Sequence, residues 1–100
     1  MSEETYPDVS VMFRKWKTCE DVIAIFPYVP HKDCSHPSEI LVDAYSESEG
    51  YGGADFEYVM KNTVPACEEI YREMKVYLET NYILEIIEEV DETRMKSIHS

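Results

Sequence analysis

Between Val9 and Pro27 the chain spells out two strands in succession, and no other feature restricts its fold as strongly. VSVMFRKWK alternates, setting Val9, Val11 and Phe13 on one face and Ser10, Met12, Arg14 and Trp16 on the other. Thr18 to Asp21 is a short polar connection. DVIAIFP follows as an unbroken apolar run rich in β-branched residues and closed by Pro27. Such a run belongs in the middle of a sheet, with the alternating strand paired to it as a hairpin. The basic cluster Arg14, Lys15 and Lys17 around Trp16 is expected to alternate outward and offset an acidic surface.

The remaining chain supplies one more early strand and then helices. YVPHKDCSHPSE, with Pro30 and Pro37, reads as a loop, and Ile40 to Tyr45 reads as a third strand. SESEGYGGAD holds all three glycines and is expected to form a flexible acidic loop. Asp55 can cap a short helix on which Phe56, Val59 and Met60 share a face. Glu68 to Thr80 is the clearest helix, with Ile70, Tyr71, Met74, Tyr77 and Leu78 on one stripe and Asn81 as a left-handed stop. YILEIIEEV then reads as a last strand interior to the sheet, and DETRMKSIHS as a fraying tail. The order β-β-β-α-α-β predicts an α+β fold of two layers, an antiparallel four-stranded sheet with one long and one short helix on one face. Val11, Phe13, Ile23, Ile25, Val42, Met74, Leu78 and Ile86 are the expected core. One hundred residues at 44% hydrophobic composition suffice for a single domain, 1–100, ordered over about 8–90.

Charge narrows the function classes. The net charge of -12 is spread along the chain, which disfavours direct binding to nucleic acid or to an anionic membrane and favours a basic protein partner. Dense carboxylates can also imitate phosphate spacing and so occlude a nucleic-acid-processing enzyme. No apolar run approaches a membrane span. The start, MSEETYPD, is acidic where an export signal would be basic and then apolar, so a cytoplasmic location is expected. Three cysteines without framework spacing suit free thiols.

Two constellations invite chemistry. Cys19, His31, Cys34 and His36 are zinc-ligating types, but their spacing matches no standard site, so no metal or other cofactor is expected. A thiol- or metal-dependent module built on the Cys34 and His36 loop is the alternative to a binding protein. Asp43, Glu47, Glu49, Asp55 and Glu57 offer oxygen ligands without the ordered spacing of a calcium loop. No catalytic residue is assigned, because nucleophile-elbow, phosphate-loop and dinucleotide fingerprints are all missing from the sequence. Glu47, Glu49, Tyr51, Asp55, Glu57 and Tyr58 are the expected interaction residues, the tyrosines as anchors with an apolar body and a polar tip.

VMFRKWK, DVIAIFP, the AY…GYGGADF block, KNTVPA and EEIY…NYILEII together resemble a family of small uncharacterised proteins of bacteriophages and bacterial mobile elements. Tyr45, Gly52, Gly53, Ala54, Asp55, Thr63, Pro65 and Ala66 occupy matching positions. The chain departs from that pattern at Glu47 and Tyr51, where the family carries histidines, and at Cys67, where it offers a threonine helix cap. The resemblance implies a genetic setting and no activity. It adds to the expectation of a non-catalytic protein-binding module, in an oligomeric state that the sequence does not fix.

Overall fold

The computed structural model describes residues 9–31 and 40–99. It contains nine elements: β1 (Val9–Trp16), β2 (Val22–Pro30), β3 (Leu41–Ser46), β4 (Gly50–Asp55), α1 (Phe56–Asn62), β5 (Thr63–Pro65), α2 (Glu68–Glu79), β6 (Leu84–Ile86) and α3 (Glu92–His99). The strands form one sheet in the order β4-β3-β2-β1-β5, with β6 also on β1. Every pairing is antiparallel except β1 with β6. The α+β class stands, with six strands and three helices among the described residues instead of four and two.

The expectation of two layers gives way because the central strands are apolar on both faces. Val11, Phe13, Ala24 and Phe26 pack with Met74 and Leu78 of α2 on one side. Met12, Ile23, Ile25, Val42 and Ala44 pack with Val59 of α1 on the other, where Phe56, Ile87 and Val90 complete the cover. Helices therefore lie on both faces, because a bare apolar face would leave the even-numbered residues of β1 in water.

Arg14 departs furthest from its expected place. It is 8% exposed rather than outward-facing. Its Nε donates to Thr63 Oγ1 at 2.9 Å, and its Nη2 donates to the carbonyls of Thr63 at 2.9 Å and Met60 at 3.4 Å. Thr63 Oγ1 in turn donates to the Val59 carbonyl at 2.6 Å. A guanidinium satisfies several acceptors at once, and the last carbonyls of a helix favour a cation. Arg14 thus ties the end of α1 to β1. Burial lowers its pKa.

Several boundaries also differ. β2 continues through Pro27 to Pro30, because the pairing with β3 shifts register between Phe26 and Pro30 and leaves the proline at an irregularity. The glycine segment is a strand, not a flexible loop. Six consecutive partners join it to β3, and Gly50 takes the positive φ (73°) at the turn. Ile86 is 38% exposed instead of buried, since β6 spans only three residues and lies on the outer edge of β1. Asn81 does not adopt a left-handed conformation; α2 ends on Thr80 in the right-handed region. The C-terminal segment is helical. Asp91 Oδ1 accepts the Arg94 N–H, Met95 is buried, and the Arg94 guanidinium lies 4.0 Å from the Tyr28 ring centre. The expected N-terminal arm lies outside the described residues.

Cys67 is the N-cap of α2, in extended conformation, and its side chain makes no cap hydrogen bond. Threonine there would accept a backbone N–H that the thiol leaves to water. Cys67→Thr is expected to raise stability by about 1 kcal/mol, measured by urea denaturation.

Candidate interaction edge

The six expected interaction residues come from one sheet edge and its flanks. β4 ends the strand order, and among the described residues nothing pairs with its outer side. Glu47 and Glu49 sit in the β3–β4 turn, where Ser46 Oγ accepts the Glu49 N–H at 3.2 Å. Asp55 and Glu57 sit at the other end. Asp55 caps α1 by accepting the Tyr58 N–H at 3.1 Å, and Glu57 occupies the favourable first turn. The six residues of β4 hold the two acidic ends roughly 20 Å apart. Carboxylates so separated cannot share one ion, and among the described residues no group of side chains is arranged to hold a metal.

Tyr51 and Tyr58 flank this edge on opposite faces of the sheet. Tyr51, half exposed, pairs across the strands with Tyr45, their ring centres 4.7 Å apart. Tyr45 stacks at 5.1 Å on Tyr77 of α2. Burial pushes the Tyr45 phenol above its ordinary pKa, helped by Tyr77 and Glu47. Burial also raises Tyr51, with neighbouring tyrosines adding to the shift and a hydrogen bond to Asn81 opposing it. The rings of Tyr45, Tyr51 and Tyr77 thus form an aromatic cluster on this side of the edge, next to the Asp43 carboxylate. Sequence reading named Tyr51 for interaction and set Tyr77 on the helical stripe of α2, but did not foresee its stacking on Tyr45, a partner remote in the chain.

On the α1 side lies a groove of about 360 Å³. Gly50, Gly52 and Ala54 run along it with side chains too small to fill it. Trp16 and Tyr58 line it further, their ring centres 6.1 Å apart, and Glu49 and Asp55 bring carboxylates to it. Arg14 sets this geometry indirectly by fixing the end of α1. Trp16 was expected to face outward with a basic strand and instead packs partly buried beside the groove.

The two metal-ligating candidates among the described residues, Cys19 and His31, are not brought together. Cys19 is exposed in the β1–β2 turn, and His31 follows the far end of β2, nine residues long, so roughly 30 Å of strand separates them. Cys34 and His36 lie outside the described residues, as does the thiol- or metal-dependent reading that rests on them. His31 is committed to Asp43, with Nδ1 2.9 Å from Oδ1. Its ring lies over Gly53, where an added Cβ would collide with the imidazole, whereas one at Gly52 would meet open space. Gly53→Ala is expected to displace the ring and break the Asp43 contact, shifting the His31 Nδ1 resonance in NMR. Gly52→Ala should leave that resonance in place.

Comparison with known protein families, curated proteins and solved structures finds no match to this chain. No helix among the described residues is long and apolar enough to cross a membrane.

Proposed function

We propose that this chain is a small acidic, non-catalytic protein-binding module of bacteriophage or mobile-element type, acting in the cytoplasm and engaging a basic protein partner through β4 and its flanks. The observation that carries this reading is the gathering of Glu47, Glu49, Tyr51, Asp55, Glu57 and Tyr58 along one sheet edge that is unpaired among the described residues. Exposed rings flanking an edge with two acidic ends supply anchoring area and a field that steers a cationic partner. The -12 net charge extends that field and repels polyanions. His31 does not alter the reading, because its ring bonds to a carboxylate rather than to a hydroxyl or thiol. The resemblance to phage and mobile-element proteins supports the setting.

The test places a photo-crosslinking residue at Tyr58, beside β4, or at Val64 on β5 across the sheet, and exposes each chain to bacterial lysate at low salt. A partner crosslinked from Tyr58 and not from Val64 is expected. Crosslinking from Val64 alone would move the interface to the other edge and refute the proposal.

A further inference from the structure

We propose that β4 takes up its partner by backbone pairing: an extended Lys- or Arg-bearing segment adds to the sheet as a further strand, with alternate side chains passing over Gly50, Gly52 and Ala54 into the groove on the α1 side. This rests on the binding-module reading and specifies its mode. β4 is in register with β3 over all six residues, without a bulge, and it contains neither lysine nor proline. Natural edges are usually blunted by such features, and an edge left unblunted and unpaired among the described residues presents alternate N–H and C=O groups able to accept a strand. Gly52 is open where a Cβ would stand, so an incoming chain can approach closely.

The charges select the occupant. Antiparallel pairing of two β4 strands about their centre would set Gly50 against Asp55, placing Glu49 of each copy near Asp55 and Glu57 of the other. Parallel pairing would set each carboxylate beside its own counterpart. Like charges facing each other across strands are destabilising, so a second copy is disfavoured. A cationic strand reverses every one of these contacts. Its side chains pointing toward α1 pass over Gly52 into the β4 end of the groove of about 360 Å³, where Glu49 and Asp55 supply carboxylates for a cationic head and the glycines leave room for its aliphatic stem.

The experiment titrates the full-length ¹⁵N-labelled chain with three peptides of equal charge and about ten residues: alternating Thr and Lys, its fully N-methylated counterpart, and a helical Ala/Lys peptide. The extended peptide should bind about tenfold or more tighter than the other two and slow hydrogen exchange of the residue 50–55 amides about tenfold or more. Equal affinity for all three would overturn strand addition while leaving an acidic binding surface. Tight binding of the extended peptide with protection at β5 or β6 instead of β4 would overturn the assignment of the edge. Binding by none of the peptides at low salt would overturn both this mode and the function on which it rests.

Discussion

Leu78→Ala is expected to destabilise the protein by about 2 to 5 kcal/mol, read from the urea midpoint. Leu78 is fully buried and packs with Met74 against Val11, Phe13, Ala24 and Phe26, so α2 holds its face of the sheet mainly through these two side chains, with Tyr71 stacked on Phe13 at 4.2 Å. The remainder of the stripe contributes less than its spacing indicates, because Ile70 and Tyr77 are each nearly half exposed. Truncating Leu78 leaves a cavity that neighbouring strands, paired on both sides, cannot easily close. Ile86→Ala is the internal comparison. At 38% exposure it should cost about 1 to 2 kcal/mol, clearly less than Leu78→Ala, since over a third of its surface already meets water. Equal losses at the two positions would show that α2 does not pack as described.

Arg14→Ala is the second large effect, expected at about 2 to 4 kcal/mol, because hydrogen bonds from a charged donor are lost and buried acceptors are left without replacement. The Thr63 and Met60 carbonyls and Thr63 Oγ1 lose their donor together. Arg14→Lys keeps the charge but not the planar fork, so it should recover only part of the loss. The consequence reaches the interaction edge, since Arg14 secures the end of the helix that carries Tyr58. Fluorescence of Trp16, the single tryptophan, should therefore shift in Arg14→Ala under conditions where the chain remains folded. A stability change below about 0.5 kcal/mol would show that the buried guanidinium is not holding α1.

The parts of the fold legible in the sequence were those whose pattern is local. Alternation in VSVMFRKWK, the apolar run DVIAIFP and the Met74–Leu78 repeat each located an element, and seven of the eight expected core residues are buried. The second helical layer was missed because Met12 was assigned to an outward face, although it is fully buried. A strand covered on both sides shows continuous hydrophobicity, and Arg14 broke that run by hiding its charge among helix carbonyls. The last helix had a signal, Asp91 followed by Glu92, that resembles an N-cap and first turn. Its weak apolar stripe concealed it, because Met95 alone is buried among the side chains of α3 that the structure describes.

The interaction edge was legible in composition and not in shape. Glycine-rich, acidic SESEGYGGAD reads locally as a loop, and glycine does weaken a strand. Tertiary pairing overrode that preference: β3 supplies partners for every residue of β4, and Tyr45 supports Tyr51 from across the strand. Thus Glu47, Glu49, Asp55 and Glu57 could be named in advance, while their separation into two ends of an open edge depended on register with residues earlier in the chain. Cys67 shows the opposite case, where a missing cap was visible in the residue type alone.

Removing charge from the edge without disturbing its geometry tests the central claim most directly. The combined variant E47Q, E49Q, D55N and E57Q keeps side-chain shape, and asparagine at position 55 can still cap α1. Immobilised wild-type and variant chains are loaded with bacterial lysate at low salt, and retention of the captured partner is followed along a salt gradient. The wild type should capture a basic protein and release it steeply as salt rises, while the variant should retain about tenfold less at low salt and show a flatter release. No captured partner at low salt, or a variant with the same retention and the same salt dependence as the wild type, would contradict the account.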